Sequence, residues 1–152
     1  MIYKEALKNN IFNHICNCAH ELELECYVIG GFVRDYIINK STAKDIDIVV
    51  VGDGIDFAKN VSKKLKNSPK VTIFKTYGTA MFKYNDMDIE FVGARKESYI
   101  KESRNPKVSI GTLEDDQNRR DFTINSMAFS LNKMNYGALL DPFYGLKDIQ
   151  DK

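Results

Sequence analysis

The spacing of apolar residues predicts helices and strands that follow one another along the chain. Near the start, Ile11, Ile15 and Ala19 recur at four-residue steps, which is the period of an amphipathic helix. Farther on, short apolar runs that end in turn residues indicate buried strands. The predicted helices lie at about 6–22, 32–39 and 58–67, with one more through Asn125 and Met127, and the predicted strands lie at 26–29, 45–51, 71–75, 80–84, 87–92 and 139–141.

These elements predict a mixed α/β fold. Asn85 and Asp86 form a short, turn-rich link between two neighbouring strands, so those strands are expected to pair as a hairpin. Helices are interspersed with the strands, and the series of predicted strands from 26 to 92 ends in this hairpin. The sheet is therefore expected to be mixed rather than fully parallel. The polar stretch from 93 to 112 is predicted to be a loop.

Composition places the chain among ordinary globular domains. Its 152 residues suit one core, and hydrophobic and charged fractions of 43% and 28% are typical of such domains. No apolar run approaches the roughly 20 residues that cross a bilayer, and the first ten residues lack the apolar part of a secretory signal. The chain is therefore expected to be cytoplasmic, with reduced cysteines. The net charge of +1 gives no global attraction to nucleic acid, and the lysines between 59 and 75 are interpreted as a solvated helix face.

The motif most suggestive of chemistry is Asp45-Ile46-Asp47, at the start of a predicted strand. Side chains alternate across a strand, so the two carboxylates share one face about 7 Å apart and repel each other unless a cation lies near them. Oxygen ligands favour Mg²⁺, which typically takes one or two carboxylates plus substrate phosphates. The polar outer face of an edge strand would give the same pattern, so this motif alone leaves both interpretations open.

A second strand with acids on one face favours the metal site. In the segment 86–91, acidic and apolar residues alternate, so Asp88 and Glu90 lie on one face of the strand and the apolar residues on the other. If this strand lies beside the first, either acid can join Asp45 and Asp47, and Glu90 is favoured because Asp88 lies closer to the exposed turn. Three acids that converge on two cations are an arrangement used in phosphoryl transfer.

Glycines and arginines supply candidate phosphate ligands. Gly30 and Gly31 lie between a predicted strand and a predicted helix, where backbone amides can face a phosphate, and Arg34 can add a bidentate contact. Arg119 and Arg120 can also bind phosphate, or can pair with the acids beside them. The sequence contains neither the dinucleotide-binding glycine pattern nor the Walker lysine pattern, which excludes the Rossmann and P-loop sites.

Together these segments resemble the head domain of class II CCA-adding enzymes and bacterial poly(A) polymerases. The resemblance extends over nearly the whole chain from Tyr27 onward, with the motifs in the family's order. The matching stretches are GGFVRD at 30–35, KDIDIVV at 44–50, EFVGAR at 90–95, EDD at 114–116, RRDFTIN at 119–125 and DPFYGL at 141–146.

The resemblance implies a polymerase-β-like nucleotidyltransferase fold and a Mg²⁺-dependent reaction. In that reaction, CTP and ATP supply nucleotides to the 3′ end of tRNA or another RNA, and pyrophosphate leaves. By the same resemblance, Asp45 and Asp47 are catalytic and hold two Mg²⁺ ions, and Glu90 is a further catalytic carboxylate. The residues expected to contact the nucleoside triphosphate are Gly31, Arg34 and Arg120.

Two departures from the family accompany the resemblance. The family often has Leu-Gly-Arg after the first of its motif helices, where this chain has Ile38-Asn39-Lys40, and Asn39 is expected to preserve the left-handed turn. The family also continues after Leu146 with neck, body and tail domains that select the base and hold the RNA. The chain is therefore interpreted as a head domain, residues 1–152, that lacks them.

Three alternatives to CCA addition remain open from the sequence. Poly(A) addition is poorly separated from CCA addition by head motifs. Nucleotidylation of a small molecule or a protein is disfavoured by the motifs at 119–121 and 141–145. A catalytically silent nucleotide-binding module is disfavoured because both Asp45 and Asp47 are present.

Overall fold

The computed structural model describes residues 2–98, 107–110, 113, 117, 126–141 and 145–150. Its helices are α1 (Asn10–Glu21), α2 (Gly31–Asn39), α3 (Gly54–Lys64) and α4 (Gly145–Gln150), with 3₁₀ turns at Lys4–Leu7, Lys75–Tyr77 and Lys133–Asn135. Its strands are β1 (Cys26–Ile29), β2 (Asp45–Val50), β3 (Thr72–Phe74), β4 (Thr79–Tyr84), β5 (Met87–Gly93), β6 (Arg95–Ser98), β7 (Lys107–Ile110), β8 (Ala128–Ser130) and β9 (Leu139–Leu140). None of the described helices is long and apolar enough to cross a membrane.

Seven strands form one mixed sheet in the order β3-β4-β5-β2-β1-β8-β9. β2 and β5 pair in parallel, whereas the other neighbouring strands pair in antiparallel fashion. β4 and β5 form the predicted hairpin around Asn85, which adopts the left-handed conformation (φ 56°) that such a turn requires. The prediction of a mixed sheet is therefore confirmed.

The main core lies between this sheet and helices α1, α2 and α3. Ile46 and Ile48 of β2 point into it and are almost completely buried, together with Phe57 of α3 and Phe91 of β5, whose ring centroids are 5.7 Å apart. Burying an aliphatic or aromatic side chain of this size contributes roughly 1.5–3 kcal/mol. The alternate residues of the same strands face the opposite side of the sheet, where a smaller apolar cluster includes Val49.

Two glycines let α3 begin directly against the end of β5. A Cβ atom on Gly54 would lie 2.6 Å from the backbone nitrogen of Gly93, and a Cβ atom on Gly93 would lie 2.4 Å from the carbonyl oxygen of Gly52. No side chain fits at such distances without backbone movement. The glycine in the EFVGAR motif is therefore explained by the packing of α3 on the sheet.

Several sequence predictions differ from the structure. Residues 95–98 and 107–110 pair as strands, although the segment was predicted to be a loop. This two-stranded ribbon is separate from the seven-stranded sheet, so it needs no apolar stripe in the sequence. The helix predicted through Met127 is wrong at that residue, because β8 begins at Ala128 and pairs with β1. Asn125 and the motifs at 114–116 and 119–125 lie outside the described residues.

The turn after α2 forms, but a different residue adopts the left-handed conformation. Lys40, not Asn39, has φ 55° and ψ 21°, and its amide donates to the carbonyl oxygen of Tyr36 at 2.8 Å. The Lys40 ammonium lies 5.8 Å and 5.2 Å from the ring centroids of Tyr3 and Tyr36. These cation–π contacts offset part of the strain of a left-handed lysine.

Candidate active site

Four carboxylates lie on one face of the two central parallel strands. Asp45 of β2 is aligned with Asp88 of β5, and Asp47 is aligned with Glu90. Their alternate neighbours fill the main core, so all four side chains are on the side opposite the helices. The structure thus shows that the second acidic strand lies beside the first, which the prediction of a shared site had assumed as a condition.

The two candidates for a third carboxylate have different surroundings. Asp88 forms an ion pair with Lys83 of β4, with 3.7 Å between Nζ and Oδ1. Partial burial raises the pKa of Glu90, and the negative charge of Asp47 raises it further. The charged form of such a carboxyl group is destabilised by its surroundings. A cation bound nearby would therefore stabilise it more than it would stabilise a carboxylate that already has a positive partner. The environment therefore supports Glu90 over Asp88 as the partner of Asp47, although its catalytic role stays a prediction.

Replacing Glu90 with glutamine is expected to stabilise the domain at neutral pH in the absence of divalent metal. The pKa of Glu90 is higher in the folded state than in the unfolded state, so its ionisation destabilises the fold as the pH rises through these two values. We expect Glu90→Gln to unfold at a higher temperature than the wild type at pH 7.5 and at the same temperature near pH 4. Thermal melts with EDTA test this expectation.

Asp88→Asn is the matched control for that measurement. Its carboxylate pairs with a lysine, so amidation removes an attraction and should not raise the melting temperature at pH 7.5. An unchanged or lower melting temperature for Glu90→Gln at pH 7.5 would show that neither partial burial nor the charge of Asp47 significantly disfavours the ionised carboxylate.

The Gly30-Gly31 turn lies at the same end of the sheet as the paired carboxylates. β1 ends at Ile29, which is aligned with Asp47, so the turn follows beside the first residues of β2. Gly30 has φ 82° and ψ −135°, a conformation that is essentially restricted to glycine. It caps α2, whose first amides and positive dipole end are therefore directed toward this end of the sheet.

The guanidinium group of Arg34 lies over this turn. Its Nη2 atom is 3.4 Å from the point where a Cβ atom on Gly31 would lie, so a larger residue would press against the arginine. Its Nε atom donates to Oδ1 of Asp35 at 3.0 Å, which orients the planar group. Gly31 and Arg34 are thus brought together as predicted, whereas Arg120 lies outside the described residues.

The described residues do not contain a preformed cluster of three metal ligands. Within them, no group of three or more His, Cys, Asp or Glu side chains is arranged to hold a metal ion. The two aspartates nevertheless supply oxygen atoms of the kind that Mg²⁺ prefers when a substrate's phosphates complete its coordination. The donor set fits Mg²⁺ bound together with a nucleotide.

Lys83 adds to this face a cation that no sequence motif marked. This lysine is exposed and shares a row of the sheet with Asp88 and Asp45. Alternation along β4 places its side chain on the outer face, and the predicted hairpin with β5 pairs it with Asp88, but the sequence does not say which strand lies on the other side of β5. The order of strands is what brings this cation next to the acids.

Comparisons with known proteins identify the family to which this chain is similar. A model of the Poly A polymerase head domain matches residues 26–152. An A-adding tRNA nucleotidyltransferase of Aquifex aeolicus (strain VF5) is 42% identical over 129 residues, which cover 85% of this chain and 15% of that protein. The chain is therefore much shorter than this relative.

Solved structures show the same relationship. A tRNA nucleotidyltransferase complexed with a primer tRNA and an incoming ATP analog shares 38% identity and a TM-score of 0.77, over 91% of this chain and 37% of that one. A CCA-adding enzyme in complex with CTP shares 34% identity and a TM-score of 0.78, over 93% of this chain and 32% of that one. These matches confirm the predicted fold.

Proposed function

The chain belongs to the Poly A polymerase head domain family, and on that premise we propose that it is the catalytic head of a Mg²⁺-dependent enzyme that adds nucleotides to the 3′ end of tRNA. The observation that carries the proposal is the alignment of Asp47 with Glu90, beside the Gly30-Gly31 turn and Arg34. Metal ligands and phosphate ligands then meet at one end of one sheet. Nucleotidyl transfer needs both groups at the same place.

Asp45 and Asp47 are the residues that would hold Mg²⁺. When bound, the metal would lower the pKa of the RNA 3′-hydroxyl and offset the charge of the triphosphate. Both side chains are exposed on the central strand β2, so they remain accessible to substrate. The backbone of Asp47 is fixed by pairing with β1 and β5, and that of Asp45 by pairing with β5. Glu90 would contribute by its charge, as the neighbour that makes a cation favourable at Asp47.

Gly31, Arg34 and Arg120 are the residues that would bind the triphosphate. The absence of a side chain at Gly31 lets the phosphates approach the backbone of the α2 N-terminus, and Arg34 lies immediately over that approach. These groups recognise phosphate rather than the base. The relatives similar to this head include both an A-adding and a CCA-adding enzyme, which supports a head that does not choose the nucleotide.

Replacing Arg34 with alanine is expected to weaken the binding of Mg-ATP and Mg-CTP to the same extent, on the order of tenfold each. Arg34→Lys should recover only part of that loss, because a point charge cannot reproduce a bidentate fork. The same result is expected for Arg120→Ala and Arg120→Lys. Titration calorimetry with each nucleotide measures both effects.

Lys133→Ala is the control for charge alone, since it removes one exposed cation from the connection between β8 and β9. A variant at 34 or 120 that lost affinity for one nucleotide and kept the other would assign that arginine to the base instead of the phosphates.

A graft tests the proposed function directly. The head of a CCA-adding enzyme is replaced by this chain, and labelled ATP and CTP are supplied with a tRNA that lacks its 3′-terminal CCA. We expect nucleotide addition that requires Mg²⁺ and stops with EDTA. A folded graft that binds tRNA and nucleotide but adds nothing would favour the catalytically silent module instead.

A further inference from the structure

Positive charge is concentrated in one part of an otherwise balanced chain. The chain has a net charge of +1, yet residues 57 to 85 contain seven lysines and none of its Asp or Glu residues. The rest of the chain is therefore net acidic. A segment of this length without a single acid is not expected from a composition that is 28% charged. The segregation calls for a physical explanation beyond solubility.

Most of these lysines are exposed and form no ion pair within the described part of the chain. Lys64 pairs with Glu21, and Lys83 pairs with Asp88. The other five form no ion pair with any residue that the structure describes, and all five are exposed. They are Lys59, Lys63, Lys66, Lys70 and Lys75.

Part of this charge lies around the edge strand of the sheet. Lys66 and Lys70 belong to the short link from α3 to β3, which is held against the helix by the Ser62 hydroxyl donating to the carbonyl oxygen of Pro69 at 2.5 Å. Lys75 follows β3 directly, and Phe74 at the end of that strand is 40% exposed. We refer to Lys66, Lys70, Phe74 and Lys75 as the β3-edge surface.

The β3-edge surface adjoins the face that carries the carboxylates. Phe74 is aligned with Thr79 of β4, and Thr79 with Val92 of β5, so the exposed ring is on the same side of the sheet as Asp47 and Glu90. Thr72 ends the row that contains those two acids. That row crosses three gaps between strands, which amount to about 14 Å.

We propose that the β3-edge surface binds the phosphodiester backbone of the RNA substrate upstream of its 3′ end. The inference rests on the proposed function, because that function places a 3′-hydroxyl near Asp47. At about 3.4 Å per nucleotide of a stacked strand, 14 Å corresponds to roughly four nucleotides. The lysines bind phosphates, and the exposed ring of Phe74 stacks on an unpaired base.

The combination of groups favours RNA over other anions. Clustered lysines attract any polyanion, but an exposed aromatic ring among lysines also offers a nucleobase a stacking partner. The ring of Phe74 also lies on the face of the sheet on which the chemistry is proposed. We therefore interpret Lys66, Lys70 and Lys75 as part of a binding surface, whereas the sequence alone favoured a solvated helix face for them.

The test compares two triple variants of equal charge in the 152-residue chain. Lys66→Gln/Lys70→Gln/Lys75→Gln removes the edge cations, whereas Lys4→Gln/Lys8→Gln/Lys133→Gln removes three exposed cations elsewhere. The probe is a fluorescein-labelled 12-nucleotide single-stranded RNA, measured by anisotropy between 50 and 200 mM salt. We expect the edge variant to lose at least tenfold in affinity at 100 mM salt, and its log–log salt slope to become shallower by about 2. The control variant should match the wild type.

Oligonucleotide length and the aromatic ring give two independent readouts. A three-nucleotide RNA has few phosphates and cannot span from Asp47 to the edge, so its affinity should fall less in the edge variant than that of the 12-nucleotide RNA. Phe74→Ala should weaken the 12-nucleotide RNA by about tenfold, and Phe74→Tyr should not. Equal losses in the two triple variants, or a wild type that prefers a 12-residue polyglutamate over the RNA, would overturn the inference.

Nucleotide binding separates this inference from the function on which it rests. The edge variant and Phe74→Ala should bind Mg-ATP as the wild type does, because two strands separate β3 from β2, which carries Asp45 and Asp47. A wild type that binds RNA but not Mg-ATP would refute the proposed function while leaving the RNA surface intact. An edge variant that binds both ligands normally would refute the surface alone.

Discussion

Replacing Asp45 or Asp47 with alanine is expected to abolish nucleotide addition while leaving the domain folded. If the two carboxylates hold Mg²⁺, removing one takes away several kcal/mol of charge stabilisation in the transition state. Since each 1.36 kcal/mol is a factor of ten in rate, we expect a loss of at least about 10³-fold in the grafted enzyme. Incorporation of labelled nucleotide into tRNA under single-turnover conditions measures the loss.

Stability is expected to respond in the opposite direction to activity. Both aspartates are exposed and neither is part of the core, so their removal opens no cavity. Relief of repulsion among the aligned carboxylates should leave the melting temperature without metal unchanged or slightly raised. Asp86→Asn is the matched control. Asp86 is an acid of the same alternating series as Asp88 and Glu90, but it lies at the hairpin turn and pairs with Lys44. Turnover near the wild-type rate in either alanine variant would rule out the assignment of the metal to these residues.

The 152-residue chain by itself is expected to bind Mg-nucleotide weakly, without a preference for the base, and to add little or nothing to tRNA. The chain covers 15% of the length of its Aquifex relative and 37% of the tRNA-bound structure, so most of the surface that those proteins possess has no counterpart in it. Holding two reactants in position contributes roughly 7–11 kcal/mol to lowering a barrier, which corresponds to effective concentrations of about 10⁵–10⁸ M. The chain alone should therefore be at least about 10⁵-fold slower than the graft.

Two titrations and one transfer assay test this division of labour. ATP and CTP are titrated separately against the chain in Mg²⁺, and their affinities should agree within about threefold, since phosphate ligands do not distinguish the bases. A tRNA that ends before CCA is then supplied with both nucleotides. Clear discrimination between ATP and CTP, or faithful synthesis of CCA, would mean that the head contains its own selector.

The sequence by itself determined the elements that depend on local patterns. Alternation of apolar and acidic residues gave β2 its two faces, because successive side chains of any strand point to opposite sides. Gly30-Gly31 marked the start of α2 for an equally local reason, since only glycine readily adopts φ 82° with ψ −135°. The turn at Asn85 fixed the β4–β5 hairpin through the conformation of two residues. These predictions needed no knowledge of distant contacts.

The tertiary structure decided which strands that are distant in the chain become neighbours. Whether Asp88 or Glu90 is the better partner of Asp47 followed from the parallel pairing of β5 with β2 and from the position of Lys83 on β4. The edge position of β3 likewise explains why Phe74, which lies among the lysines of this segment, is exposed on the carboxylate face. Strand pairing joins residues that are far apart in the chain, and its energy comes from packing and backbone hydrogen bonds that many sequences satisfy equally. A local pattern therefore specifies which side of a strand a residue occupies, and only the assembled sheet specifies what lies beside it.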